Sequence, residues 1–307
     1  MTTIESAPAA RVAEIDGVPM SGLLAVAEQP RAVVVALHGG ATDSAYFDCP
    51  GHPELSLLRT GPARGFTVLA LDRPGYGASR PHVDEFTRPE RRVDAALAAI
   101  DAHLDSLDLG AGIFLWGHSL GCELTMRLAV EPRERWRRGA CRDRDLLGIA
   151  LAGTGREHHA DACGILGTEA QYADPKGVYG LLWAHPEIYP PELVGGAPIA
   201  SRTPSYEATV TASWPHTEFP QLAARVEVPV HFTAAEHERV WRGDPEALDD
   251  IAAIFTAAPR VELHTQPDAG HNLALGYAAA SYHATVLSFV QECIDNRSAD
   301  RISDTTK

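Results

Sequence analysis

The stretch Gly112-Ile113-Phe114-Leu115-Trp116-Gly117-His118-Ser119-Leu120-Gly121-Cys122-Glu123-Leu124-Thr125-Met126-Arg127-Leu128-Ala129 organises the reading of the whole chain. Its first five residues form an apolar run of the kind that makes a buried strand, and the residues after Gly121 read as a helix. Between the two stands a serine with glycines at minus two and plus two. A strand that turns at once into a helix forces the central residue into a strained conformation, and neighbours without Cβ relieve the crowding. The hydroxyl of Ser119 is thereby pushed out at a helix N-terminus, where free N–H groups and the dipole favour developing negative charge. In a chain with 26 glycines such a pattern can arise by chance, so its weight comes from the strand and helix on either side.

Upstream, Ala32-Val33-Val34-Val35-Ala36-Leu37 and Phe66-Thr67-Val68-Leu69-Ala70-Leu71 are continuous apolar runs, as expected of parallel strands buried on both faces. The first ends in His38-Gly39-Gly40-Ala41, the second in the turn-rich Asp72-Arg73-Pro74-Gly75-Tyr76-Gly77-Ala78-Ser79. Before them, Arg11 to Ile15 and Met20 to Ala27 flank Asp16-Gly17, a hairpin signal. Helices are expected over Glu54–Arg64 and over Pro89–Leu107, where Val93, Ala96, Leu97, Ile100, Leu104 and Leu107 share one face. Leu146–Ala152 is a further core strand; Val226–Thr233 and Arg260–His264 follow later, and Tyr277–Ile294 reads as a closing amphipathic helix.

Strands alternating with helices predict an α/β fold with a mostly parallel central sheet flanked by helices. The rhythm breaks between Thr154 and about Leu222, a stretch rich in tryptophan, tyrosine and proline, which reads as a helical cap inserted over the sheet. The expected organisation is residues 1–153 as the first part of the core, 154–222 as the cap, 223–294 as the second part, and 295–307 as a disordered tail. Residues 1–9 also read as a loose tail.

Net charge of −15 argues against nucleic acid or an anionic membrane as a partner. Five scattered cysteines (Cys49, Cys122, Cys141, Cys163 and Cys293) have no metal-knuckle spacing, so neither a disulfide framework nor a metal site is expected, and no cofactor is. Without a basic start and apolar core near Met1, and with no apolar stretch long enough to span a bilayer, the chain reads as soluble and cytoplasmic.

Four segments together, His38-Gly39-Gly40, Asp72-Arg73-Pro74-Gly75-Tyr76-Gly77-Ala78-Ser79, Gly117-His118-Ser119-Leu120-Gly121 and Asp268-Ala269-Gly270-His271, resemble the α/β-hydrolase superfamily in order and spacing. The resemblance covers nearly the whole chain. It implies that Ser119 is a nucleophile and that His271, in the loop after the last strand, is the base that takes its proton. It places the orienting acid just past the strand ending at Thr233, within Ala235-Glu236-His237-Glu238. Glu238 takes that place, with glutamate where aspartate is commoner; Glu236 is the alternative and Asp161 a distant third. Oxyanion donors are expected from the backbone N–H groups of Leu120 and Gly40, with Ala41 as a near alternative to Gly40. Asp72 and Arg73 read as structural, fixing their loop beside the serine. His118 reads as pointing away from the site, and Cys122 as a packing residue.

Serine at the turn disfavours the branches that use aspartate there, the dehalogenases and epoxide hydrolases. The motif is similar to those of cap-bearing carboxylesterases, lysophospholipase-like enzymes and thioesterases of polyketide pathways. The implied activity is a serine hydrolase cleaving an ester or thioester of an apolar acyl substrate, free or carrier-bound, through an acyl-enzyme. Two alternatives stay open: non-hydrolytic acyl transfer, cyclisation or elimination in secondary metabolism on the same residues, and a non-catalytic ligand-binding protein on the same fold.

Overall fold

The computed structural model describes residues 7–136, 145–166 and 175–305. Residues 1–6 of the expected N-terminal tail, Cys141, Tyr172 of the expected cap and residues 306–307 lie outside the described residues.

Eight strands form one sheet in the order β1-β2-β4-β3-β5-β6-β7-β8. β1 (Ala9–Ile15) and β2 (Val18–Ala25) make an antiparallel hairpin, and β2 runs antiparallel to β4 (Phe66–Leu71). The hairpin turns on Asp16 and Gly17, both with positive φ, as a two-residue turn that follows the strand twist requires. From β4 onward all neighbours are parallel: β3 (Ala32–Leu37), β5 (Ile113–His118), β6 (Leu146–Ala152), β7 (Val230–Ala235) and β8 (Val261–Gln266). β3, β4, β5 and β7 are buried along their whole length, which explains why they read as unbroken apolar runs.

Alternate residues of these strands serve two cores. On one face Val33, Val35, Leu71 and Leu115 pack with α2 (Pro89–His103) and α3 (Gly121–Ala129). On the other, Val34, Ala36, Phe114 and Trp116 pack with α1 (Leu57–Ala63) and the final helix. A short turn of helix, α4 (Arg133–Trp136), follows α3. Between β6 and β7 lie α5 (Pro175–Leu182), α6 (Glu207–Ser213), α7 (Phe219–Ala223) and several single turns; among the described residues this stretch adds no strand to the sheet. α8 (Pro245–Ile254) joins β7 to β8, and α9 (Ala279–Thr305) closes the chain.

Several boundaries differ from the sequence reading. β7 starts at Val230, not Val226, because Pro229 has no N–H to give a ladder. The expected helix from Glu54 is a single turn, Pro53–Leu55, before Ser56 breaks it and α1 begins. α2 ends at His103, although Leu104 still packs in the core. The largest correction is at the C-terminus, where α9 continues through Thr305 instead of fraying at Asp295. An ion pair from Arg297 to Asp145, at the start of β6, ties this extension to the sheet. Among the described residues no helix is long and apolar enough to cross a membrane.

Candidate active site

β5 delivers Ser119 at the middle of the sheet's C-terminal edge. The serine has φ +52°, and its N–H donates to the Ala152 carbonyl of β6 (2.8 Å), so the strained residue is held from the neighbouring strand. The two flanking glycines have separate jobs. A Cβ on Gly117 would come within 2.9 Å of the Cα of Cys122, where α3 folds back over the strand. A Cβ on Gly121 would run into the carbonyl of Leu37, over which the first turn of α3 passes. Cys122 is fully buried, burial pushes its thiol up to about 12, and its Sγ donates to the Ala152 carbonyl (3.4 Å). That is a packing residue.

His271, in the loop after β8, sets Nε2 3.3 Å from Ser119 Oγ. Its Nδ1 lies 3.1 and 3.0 Å from the two carboxylate oxygens of Glu238, in the loop after β7. Since a carboxylate can only accept, Nδ1 carries the proton and Nε2 is left as an acceptor for the serine hydroxyl. Both residues are buried. Burial alone would raise the Glu238 carboxyl, but His271 and the N–H groups of Val240 (2.8 Å) and Arg239 (3.0 Å) hold it below the usual range. The two loops are laced together by main-chain bonds from Glu236 N to Gln266 O (3.0 Å) and His237 N to Ala269 O (2.8 Å).

The other acidic candidates are elsewhere. Glu236 is half exposed, and its carboxylate accepts the Asp268 N–H (2.9 Å). Asp161 pairs with Arg239 at the surface (3.5 Å). His118 does not point away, as its sequence position suggested. It packs edge-on against His271 with ring centroids 5.2 Å apart and stacks on Tyr46 at 4.5 Å. Burial and the nearby His271 keep it far below the ordinary histidine pKa, so it is a neutral wall beside the ring.

Gly39 and Gly40 pass directly over the serine turn: a Cβ on Gly39 would stand 3.1 Å from Ser119 Cβ, and one on Gly40 2.8 Å from Leu120 Cδ1. The Ala41 N–H is already given to Tyr76 Oη (3.1 Å). Asp72 accepts from Ser21 Oγ (2.5 Å) and Ser44 N (2.8 Å), fixing its loop against β2 and the turn after β3. Arg73 reaches further than the sequence suggested. It donates to the Gly39 carbonyl (2.8 Å) and to Glu207 of α6 (2.6 Å), in an ion pair whose side chains are 3% and 2% exposed.

Above Ser119 a cavity of about 640 Å³ is walled by Leu120, Tyr179, Leu182, Trp183, Trp214 and Trp241. Two of these rings brace the edge of the sheet: Trp241 donates to the Gly153 carbonyl (3.0 Å) and Trp214 to Thr154 Oγ1 (2.8 Å). Glu123 and Glu207 also line the cavity, but each is neutralised by a buried arginine, Arg92 at 2.7 Å and Arg73 at 2.6 Å. Tyr76 sat inside the Asp72–Ser79 motif without a role assigned to it, and Glu207, Trp214 and Trp241 carried no motif in the sequence. For Trp214 the signal was the density of aromatic residues between β6 and β7.

The family model described as "Alpha/beta hydrolase family" matches residues 34–283. The chain belongs to that family. Among solved structures it is similar to an N-acyl homoserine lactonase, AidH, in complex with N-hexanoyl homoserine, with a TM-score of 0.65 at 17% identity over 93% of this chain and 97% of the other. It is similar also to a soluble variant of the monoglyceride lipase of Saccharomyces cerevisiae bound to a substrate analogue, with a TM-score of 0.66 at 13% identity, covering 95% and 97%. VinJ gives 0.61 at 15% identity, covering 94% and 100%. At these identities the likeness is one of fold.

Proposed function

We propose that the protein is a serine hydrolase that cleaves an ester or thioester of an apolar acyl substrate through an acyl-enzyme intermediate. The observation that carries the reading is the unbroken relay from Ser119 Oγ through His271 to a buried, ionised Glu238. A serine hydroxyl is unreactive near neutrality until a base removes its proton, and His271 Nε2 is the acceptor within reach. As Oγ attacks the carbonyl carbon, its proton passes to Nε2, and Glu238 stabilises the imidazolium without taking the proton itself. The carbonyl electrons move to oxygen, and the N–H groups of Gly40 and Leu120 receive that charge. Collapse expels the alkoxide or thiolate, which leaves with the proton from His271. Water, deprotonated by the same ring, then releases the acid and frees the serine.

The apolar, charge-compensated cavity favours an uncharged acyl group of modest size, since a cavity of about 640 Å³ suits a small molecule. A lactone is an internal ester and belongs to the same class, which the lactonase neighbour makes a sensible first panel member. We assign the stretch 154–222 to a lid that keeps bulk water from the acyl-enzyme. The test is turnover of a p-nitrophenyl ester and labelling by a fluorophosphonate. Wild type should do both and Ser119→Ala neither; equal turnover by the two proteins would remove Ser119 as nucleophile.

A further inference from the structure

We infer that Glu207, carried by α6 of the inserted stretch, positions the Gly40 N–H that faces the developing oxyanion. Seating the inserted stretch and assembling the oxyanion donors then become one event. The inference rests on the serine-hydrolase reading above.

The Gly39 carbonyl and the Gly40 N–H belong to one rigid, trans peptide unit and point in opposite directions. Whatever holds the carbonyl therefore aims the N–H. The carbonyl accepts from Arg73 Nη2 (2.8 Å) and from His38 Nδ1 (2.8 Å), with Thr42 Oγ1 at 3.3 Å. His38 is locked in that role, because its Nε2 accepts the Arg73 N–H (3.1 Å), which leaves the proton on Nδ1. The same Arg73 nitrogen that grips the carbonyl is held by Glu207 Oε1 at 2.6 Å.

The second oxygen of Glu207 acts on the next peptide. Glu207 Oε2 accepts from Tyr76 Oη–H (3.0 Å), and Tyr76 Oη accepts the Ala41 N–H (3.1 Å). One carboxylate thus governs the peptides on both sides of Gly40. It also orients a guanidinium whose charge polarises the Gly39–Gly40 unit and strengthens its N–H as a donor. The inserted stretch meets the same loop once more through Ser201 N to Ala41 O (2.9 Å), and Tyr206 Oη donates to the Pro74 carbonyl (2.7 Å) beside Arg73. A mere anchor for α6 would not need to place both carboxylate oxygens on groups that hold residues 39–41.

The experiment compares the full-length wild type with Glu207→Gln and Tyr76→Phe. It measures kcat and KM with a p-nitrophenyl ester per fluorophosphonate-titrated site, and the affinity of a trifluoromethyl ketone, whose serine adduct carries an oxyanion. Since loss of one oxyanion donor costs about 100- to 1,000-fold, a misaimed donor should lower kcat about 10- to 100-fold in Glu207→Gln and about tenfold in Tyr76→Phe. KM should stay within about threefold, and ketone affinity should fall in step with kcat/KM. A folded variant that keeps both its kcat and its ketone affinity overturns the inference. So does a loss confined to KM or to the number of titratable sites, which is what a structural pin would give. Glu207→Gln strands a buried Arg73, so if it fails to fold, Tyr76→Phe, which retains the ion pair, decides by the same criteria. Failure of wild type to be labelled at Ser119 would instead reject the underlying reading, and this inference with it.

Discussion

Replacing Glu238 with glutamine keeps the shape of the site and removes one charge, and the surrounding donors dictate what happens next. In the wild type, Oε1 receives the N–H groups of Val240 (2.8 Å) and Arg239 (3.0 Å), and Oε2 stands 3.0 Å from His271 Nδ1. The glutamine oxygen has to occupy the first position, because two main-chain donors point at it. Its NH2 group then faces Nδ1, donor against donor. The ring escapes by moving its proton to Nε2, where it meets Ser119 as a donor and can no longer accept the hydroxyl proton. A triad frozen in the wrong tautomer loses about 10³- to 10⁴-fold in kcat, or roughly 4 to 5.5 kcal/mol of transition-state stabilisation. The assay is initial-rate hydrolysis of a p-nitrophenyl ester across neutral and alkaline pH, with thermal melting as a check on folding. The variant rate should climb with hydroxide and not reach a plateau near neutrality. Glu236→Gln, whose exposed side chain accepts the Asp268 N–H and lies 4.0 Å from His237 Nε2, should stay within about threefold of wild type. A loss below tenfold for Glu238→Gln, or a larger loss for Glu236→Gln, would refute the reasoning.

Two further perturbations probe the packing around this site. Gly153 has φ +64°, and a Cβ there would lie 2.7 Å from His118 Cε1 and 3.3 Å from His271 Cε1. Gly153→Ala should therefore cost about 2 to 4 kcal/mol in urea unfolding and lower kcat at least about tenfold; unchanged values would mean the two rings are not packed as described. Acid should weaken the fold through its buried histidines. Burial, foremost, holds His38 and His118 far below 6.5, and takes His231 to about 4 and His283 to about 3. The unfolded chain binds protons at these four that the folded chain refuses, so stability is complete well above pH 6.5 and falls as pH drops through it toward the folded values. The loss approaches about 1.4 kcal/mol per histidine per pH unit well below pH 6.5, and amounts to roughly 1 kcal/mol each, roughly 4 kcal/mol for the four, between about pH 6.5 and 5.5. A urea midpoint that does not move across that interval would contradict it. Glu238, held low, adds its own loss only below the ordinary carboxylate range.

What the sequence disclosed and what it hid have physical causes. Strands buried on both faces leave continuous apolar runs, so β3, β4, β5 and β6 could be read directly, and with them the serine turn that β5 delivers. His271 was readable because its loop has a fixed place after the last strand. Glu238 and Glu236 were harder to separate because they sit in one turn, closed by Glu238 N to Ala235 O (3.1 Å). Which carboxylate that turn directs inward depends on backbone geometry that composition does not encode. Glu207 was invisible for a different reason. Its importance lies in partners 131 and 134 residues away, Tyr76 and Arg73, and no local pattern announces such a meeting. The continuation of α9 past Asp295 was missed because the residues that follow show no apolar repeat in the sequence; Arg297, in that extension, pairs with Asp145 at the start of β6.

The wide spacing of the relay has a consequence for how the protein is made. Ser119 and His271 are 152 residues apart in the chain, and the strand that carries the serine is backed from the far end by Tyr282, which accepts a hydrogen bond from Trp116 (2.9 Å), and by Phe289 against Phe114. A growing chain on the ribosome therefore displays Ser119 long before His271 exists to meet it. Even after the serine-bearing strand has emerged, half of that strand's apolar surface waits for the closing helix.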